Sequence, residues 1–157
     1  MALTTGQLAT LKADIIVNFP SVPNNDDGNF EIAAAYNLAA TPAWIVWKTA
    51  LETKTIFDAL EWTAFIARSA GERDAFQLMM RNGVINPSQA NVRQGISDIF
   101  SGPGGATQRA SLLALAKRSA TRAEKLFSTG TGTDLSPATL TFEGNLSFAD
   151  ISAARNS

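Results

Sequence analysis

The chain has 157 residues, of which 45% are apolar and only 17% are charged. This length suits one domain with a hydrophobic core that needs neither disulfide bonds nor metal ions. Cysteine and histidine are both absent, which excludes disulfides, cysteine nucleophiles, Cys/His zinc sites and Ser-His-Asp triads. The formal net charge of −1 argues against a dedicated nucleic-acid-binding protein.

The charged fraction lies below the roughly 25% of an average soluble domain. Small and polar residues, above all 26 alanines, must therefore cover much of the surface. Such a weakly charged surface favours contact with other proteins, and the alternative is a small monomer with a plain surface. The longest uncharged run, residues 32–47, is interrupted by Asn37, Thr41 and Pro42, so no membrane-spanning helix is predicted.

The first predicted helix spans residues 5–18. Thr4 and Gln7 have the spacing of a capping box, and apolar residues recur on one face of the segment. A turn-rich loop over 23–28 then leads into a short second helix that begins near Phe30.

The middle of the chain predicts several helices. Residues 43–48 are compatible with either a helical turn or a strand, while 55–68, 70–82 and 87–100 show helical spacing or capping signals. The three tryptophans of the chain are expected in the core; they are Trp44, Trp47 and Trp62.

A long helix is predicted over residues 106–127, about 30 Å in length. Between residues 101 and 128 there are five cations and only one carboxylate, Glu124. The cations are Arg109, Lys117, Arg118, Arg122 and Lys125. They could contact DNA phosphates or, as the acidic composition of the whole chain favours, the acidic segments of a neighbouring copy.

The composition changes after Phe127. Residues 129–133 contain only Gly and Thr, 138–143 alternate apolar and polar residues, and Ser147 with Asp150 can cap a terminal helix. The sequence therefore predicts a mainly α fold, with a helical bundle over 1–128 and an extended C-terminal arm, a short strand plus a helix, over 129–157.

The sequence predicts no catalytic residues, no metal ligands and no cofactor. Asp58 and Glu61 lie one helical turn apart and could serve as a pair of catalytic carboxylates, but a solvated helix face explains them better. Asp26 and Asp27 beside Gly28 lack the spacing of a calcium loop.

Several segments of the chain resemble a family of small proteins encoded in the structural gene clusters of tailed bacteriophages. The segments that carry this resemblance are 8–15 (LATLKADI), 33–37 (AAAYN), 46–49 (VWKT), 120–127 (ATRAEKLF), 129–133 (TGTGT), 137–140 (PATL), 142–144 (FEG) and 146–148 (LSF). Together they extend over most of the chain. None of them is a set of metal ligands or catalytic nucleophiles.

The resemblance implies a virion component, and the size and predicted architecture are similar to those of head-to-tail adaptors of short-tailed phages. Such an adaptor is a homo-oligomeric ring under the dodecameric portal protein, in the neck of a virion assembled in the host cytoplasm. It contacts the portal and the tail nozzle, has no enzymatic activity, meets DNA at most in passing and involves no membrane.

On this hypothesis two groups of residues make the contacts. Four cations are expected to meet the acidic part of a neighbouring copy: Arg109, Arg118, Arg122 and Lys125. Four apolar residues are expected to anchor the arm in the portal: Phe142, Leu146, Phe148 and Ile151. A capsid-decorating protein or a tail subunit remains an alternative, as does, less favoured, a DNA-binding or muralytic accessory protein.

Overall fold

The computed structural model describes residues 3–157. Helices account for 53% of it and the strands are short, so the predicted mainly α class is confirmed. The helices are α1 (Thr5–Asn18), α2 (Asp26–Asn37), α3 (Thr53–Asp58), α4 (Trp62–Ile66), α5 (Ala70–Met80), α6 (Ala90–Ile99), α7 (Ala106–Leu115), α8 (Arg122–Leu126) and α9 (Phe148–Asn156). The strands are β1 (Ile45–Trp47), β2 (Leu51–Glu52), β3 (Val84–Ile85), β4 (Lys117–Ser119), β5 (Ser128–Thr129) and β6 (Thr139–Leu140). None of the helices found within residues 3–157 has both the length and the apolar character needed to cross a membrane.

The chain forms two compact units. Unit 1 contains residues 3–46 and 119–157, and unit 2 contains residues 47–118. This division differs from the predicted body of 1–128 and arm of 129–157. The difference arises because residues 129–157 supply part of the core of unit 1, whereas the middle of the chain packs around a core of its own.

The core of unit 1 is built from four stretches that are far apart in the sequence. α1, α2, α8 and the C-terminal residues each contribute apolar side chains to it. Its buried members are Leu11, Ile15, Ile32, Ala33, Tyr36, Ala123, Phe127, Phe142, Leu146, Ile151 and Ala154. A smaller cluster of Val46, Ala120 and Ala138 lies in the same unit.

The C-terminal residues are folded onto unit 1. The short strand and the terminal helix predicted there are both present: β6 pairs antiparallel with β5, and α9 packs against α1 and α2. Asn37 binds the segment through both atoms of its amide, because its Nδ2 donates to the carbonyl of Leu146 at 2.9 Å and its Oδ1 accepts from the Leu146 N–H at 2.8 Å. Arg155 donates to the carbonyls of Val22 and Pro23 at 2.5 and 2.9 Å. The predicted arm is therefore a packed part of unit 1.

The core of unit 2 contains a chain of aromatic rings. Phe76 lies 5.3 Å from Phe65, 5.9 Å from Phe57 and 5.9 Å from Phe100, measured between ring centroids. Aromatic pairs in this range are favourable. β2 pairs antiparallel with β3 at the edge of this core, with Leu51 opposite Ile85.

The predicted helix over 106–127 is wrong, because the chain leaves the helical path after Leu115. The backbone around Ala120 bonds to other segments: its N–H donates to the carbonyl of Trp44 at 2.8 Å and its carbonyl accepts from Ala40 at 3.0 Å. Helix α8 then starts anew, with Thr121 and Glu124 forming a capping box. This Thr-x-x-Glu spacing is a start signal inside the predicted helix, so the sequence did carry a sign of the break.

Two further predictions are resolved by the structure. Residues 45–47 form β1, so the strand alternative holds for this part of 43–48. The predicted helix over 55–68 is two helices, α3 and α4, because Glu61 caps the second one by accepting from the Ala64 N–H at 2.7 Å. The buried Gln108 stabilises the break between them, since its Oε1 accepts from the Glu61 N–H at 2.6 Å and its Nε2 donates to the Ala59 carbonyl at 3.2 Å.

Candidate functional site

The four cations predicted to meet a neighbouring copy do not lie along one helix. Arg109 and Arg118 belong to α7 and β4 of unit 2, whereas Arg122 and Lys125 belong to α8 of unit 1. Arg109 has a local role, because its Nη1 donates to the carbonyl of Phe100 at 3.1 Å. The structure brings only Arg122 and Lys125 together, on the wall of a common cleft.

This cleft lies wholly within unit 1 and has a volume of about 510 Å³. We call it the α8 cleft. It is lined by Asp14, Asn18, Ala35, Leu38, Ala39, Thr41, Arg122, Lys125 and Leu126. Three of the segments that carry the phage-family resemblance thus contribute to one concave surface: 8–15, 33–37 and 120–127.

Arg122 is held in the cleft by a carboxylate and two aromatic rings. Its Nη2 lies 3.2 Å from Oδ2 of Asp14, and both side chains are about one-third exposed or less. Its guanidinium carbon lies 4.9 Å from the ring centroid of Phe19 and 4.8 Å from that of Tyr36. Because cation–π contacts and a carboxylate restrain it together, the guanidinium has a defined position.

Tyr36 supports the same arrangement from the core. Its side chain is buried and its hydroxyl donates to Oδ2 of Asp14. Burial raises the pKa of Tyr36 far above its ordinary value, and the hydrogen bond to the Asp14 carboxylate and its negative charge raise the pKa further, while Arg122 lowers it in part. The hydroxyl therefore stays protonated, so that Asp14 accepts hydrogen bonds from Tyr36 and Arg122 at once.

Lys125 lies over an indole ring. Its Nζ is 5.1 Å from the ring centroid of Trp44, whose Nε1 donates to Oγ of Ser128 at 2.9 Å. Gly132 packs directly against the Trp44 ring, so that an added Cβ would lie 2.1 Å from Cδ2 of Trp44. The φ of Gly132, +63°, also favours glycine at this position. The Gly/Thr-rich segment at the start of the predicted arm therefore helps to fix Trp44 beneath Lys125.

The α8 cleft combines two cations with one carboxylate. Arg122 and Asp14 largely neutralise each other, so the ammonium of Lys125 gives the cleft a positive charge. Leu38 and Leu126 add apolar surface beside it. This arrangement suits the binding of a single carboxylate or similar anion by charge and hydrogen bonds.

The residues predicted to dock the arm in the portal are mostly inside unit 1. Phe142, Leu146 and Ile151 are buried, with exposures of 8%, 2% and 0%. Phe148 is exposed, and its ring stacks on that of Phe30 with centroids 4.6 Å apart. The prediction is corrected for the three buried residues: they stabilise the core of unit 1, and only Phe148 is accessible to a partner in this conformation.

Large apolar side chains are exposed on each unit. On unit 1 they are Ile16, Val17, Phe30, Leu38, Leu135 and Phe148, and on unit 2 they are Phe57, Trp62, Ile66, Leu78 and Val84. The expectation that all three tryptophans lie in the core therefore fails for Trp62, which is 56% exposed. Single exposed apolar side chains are common on monomeric proteins, and a contiguous patch is what marks a contact surface. Phe30 and Phe148 are adjacent, since their rings stack.

The carboxylates considered for catalysis or for calcium binding lie in ordinary structural positions. Asp58 pairs with Lys54 at 2.6 Å, and Glu61 caps α4. Asp26 and Asp27 lie in the first turn of α2. Within residues 3–157 no group of three or more His, Cys, Asp or Glu side chains is arranged to hold a metal ion.

The chain matches no model of a known protein family, no curated protein and no solved structure.

Proposed function

We propose that the chain is a structural component of a tailed-bacteriophage virion, and specifically a head-to-tail adaptor that forms a ring between portal and tail. On this proposal its function is binding: it contacts copies of itself, the portal protein and tail proteins, and it uses no cofactor. The resemblance in its sequence is the starting point, and the character of its surface is the support that the fold adds.

The exposed apolar side chains of unit 1 carry this proposal. Ile16 and Val17 on α1 and Leu38 at the end of α2 are each exposed by more than 60%. Burying one such side chain in an interface contributes roughly 1.5–3 kcal/mol. These residues offer apolar area for contact with another protein, and Leu38 does so beside the cations Arg122 and Lys125.

The aromatic pair of Phe30 and Phe148 is our candidate for the contact with the portal. It takes the place of the predicted anchors Phe142, Leu146 and Ile151, which are buried. Stacked rings that are partly exposed supply a large rigid contact area at a low cost in side-chain entropy.

Electron cryomicroscopy of the virion encoded by the same genome tests the proposal. We expect the chain as a ring against the portal, with the twelvefold symmetry of that partner. A position on the shell or along the tail would support the alternatives of a capsid-decorating protein or a tail subunit. Absence from the virion would overturn the proposal altogether.

A matched pair of variants tests the portal contact. Phe148→Ala removes the exposed ring and should weaken binding to the purified portal protein by about tenfold. Phe148→Leu keeps apolar area at the same position and should retain most of the affinity. Circular dichroism of both variants controls for folding. Equal binding by the alanine variant and the parent chain would show that this aromatic pair is not the contact.

A further inference from the structure

The two ends of helix α2 lie in surroundings of opposite charge. At its start, Asp26 and Asp27 are exposed and Glu31 is exposed one turn later. At its end, Ala35 and Leu38 line the α8 cleft. Twelve residues at 1.5 Å each place these ends about 18 Å apart. An acidic surface and a cationic cleft thus lie at different places on one unit.

The α8 cleft contains an ammonium group and N–H donors that are available to bind a second molecule. Among residues 3–157, Lys125 has no carboxylate within ion-pair distance of its ammonium, and the hydrogen-bond partners of the Arg122 guanidinium are Asp14, at 3.2 Å, and the Tyr36 hydroxyl. A guanidinium has five N–H donors, so most of those of Arg122 remain available for a second acceptor.

The acidic turn is equally without partners. Asp26, Asp27 and Glu31 form no ion pair or side-chain hydrogen bond with any of the residues described, 3–157. The positive end of the helix dipole stabilises the two aspartates where they are. Their carboxylates are therefore open to solvent and accessible to a partner.

We propose that the α8 cleft of one copy binds the first turn of α2 of a second copy. A carboxylate of Asp26 or Asp27 meets the ammonium of Lys125 and a free N–H of Arg122, beside the apolar wall of Leu38. The net charge of the cleft suits one or two carboxylates better than a run of phosphates, because Asp14 repels a polyanion. This inference rests on the proposed function, for which it names the contact between subunits.

The proposed contact joins two unlike surfaces, so successive copies are arranged head to tail. Two different patches on each copy meet, so the interface is heterologous, and repeating it produces a ring if the rotation closes. The contact thus has the form that a ring-shaped adaptor requires.

Charge reversal tests the contact. Lys125→Glu reverses the cleft, and the double variant Asp26→Lys with Asp27→Lys reverses the acidic turn. Each variant alone should self-associate about tenfold more weakly than the parent chain. Mixed in equal amounts, they should assemble again, because in an alternating ring every interface then pairs opposite charges. Native mass spectrometry, with the chain alone and with the portal protein, measures the number of copies assembled.

Two variants in unit 2 are matched controls for the change in charge. Lys54→Glu and Asp74→Lys lie on exposed surface and should assemble like the parent chain. Because lysines at the start of α2 oppose the helix dipole, Asp26→Asn with Asp27→Asn removes the charges more mildly and should also weaken assembly. Thermal melts establish that each variant is folded.

The outcomes separate this inference from the proposed function. If the parent chain forms rings and the reversed variants form them equally well, or if mixing does not restore assembly, the contact proposed here is wrong while the adaptor function stands. A parent chain that never self-associates, alone or on the portal, also overturns the contact. Only the location in the virion decides the adaptor function itself.

Discussion

The two units of the chain are assembled in different ways. Unit 2 is one continuous stretch, and every member of its core lies between residues 47 and 118. Unit 1 joins residues 3–46 to residues 119–157, and its core requires both. Contacts between residues close in sequence cost little loop-closure entropy, whereas those of unit 1 must first bring distant segments together. Unit 1 therefore depends on an intact C-terminal segment, and unit 2 does not.

The polar contacts of the two units also differ in how far apart in the sequence their partners lie. In unit 1 they join distant segments, as Asn37 does with Leu146 and Arg155 does with Val22. In unit 2 the buried Arg68 donates to the carbonyls of Ala64, at 3.0 Å, and Pro103. The longer sequence separations belong to unit 1, which also contains the α8 cleft.

Truncation after Ser128 should have the largest effect. It removes Phe142, Leu146, Ile151 and Ala154 from the core of unit 1, and with them the surface on which α1 and α2 pack. We expect amide hydrogen exchange to show loss of protection throughout α1 and α2. Protection in α5 and α6 should persist, since their core lies within unit 2.

The outcome contradicting this prediction is continued protection of α1 and α2 in the truncated chain. That result would mean that unit 1 has a core without its C-terminal residues, and it would restore the prediction of a separable arm. A shorter deletion, of Asn156 and Ser157 alone, is the matched control. It leaves every buried core residue of unit 1 in place.

Alanine substitutions in the two cores should come next in size. Phe76→Ala removes a fully buried ring from unit 2 and should reduce the free energy of unfolding by about 3–5 kcal/mol. Ile151→Ala does the same in unit 1 and should cost about 2–5 kcal/mol. Hydrogen exchange should localise each loss to its own unit. An equal loss of protection in both units from either variant would show that they unfold together.

Titration of Tyr36 tests the arrangement of the α8 cleft in unit 1. Tyr36 is the single tyrosine of the chain, so the ultraviolet absorbance of tyrosinate reports on it alone. Its pKa is raised, chiefly by burial and then by Asp14, so the absorbance should rise only well above pH ~10. Asp14→Asn should lower this pKa part of the way and leave the contribution of burial.

The same shift makes unit 1 less stable in alkali. A tyrosine whose pKa is higher in the folded state contributes stability that is fully present below the pKa of the unfolded chain, about 10. This stability is lost as the pH rises from there through the folded value. The melting temperature of unit 1 should therefore begin to fall above pH ~10. An ordinary pKa for Tyr36 would show that its hydroxyl is solvated and not bound to Asp14.

The smallest effect is expected at a helix cap of unit 2. Hydrogen bonds from the Ser69 side chain and backbone lower the pKa of Glu72. A lowered carboxyl pKa gives stability that is present above the unfolded-state value and lost as the pH falls through the folded value. Nuclear magnetic resonance should show Glu72 titrating below an ordinary glutamate, and Ser69→Ala should raise its pKa. An unchanged pKa in that variant would mean that the capping box does not form.

The sequence alone determined the local features of this fold. The capping box at Thr4 and the cap at Ser147 are present where they are predicted, because a cap involves residues only three positions apart. The mainly α class follows from the same short-range signals and from the periodicity of apolar residues. The cations Arg122 and Lys125 were also singled out from the sequence, and they line the cleft.

The partners against which those local features pack are set by long-range contacts. The break between α7 and α8 depends on two hydrogen bonds of Ala120, whose N–H donates to the Trp44 carbonyl and whose carbonyl accepts from the Ala40 N–H. No local pattern shows these two partners. Phe142, Leu146 and Ile151 belong to a segment whose composition predicts an extended arm, yet all three are buried. They are buried because α1 and α2, more than a hundred residues away in sequence, offer them an apolar surface. The cleft exists for the same reason: its carboxylate, its tyrosine and its cations meet only after these distant segments have packed together.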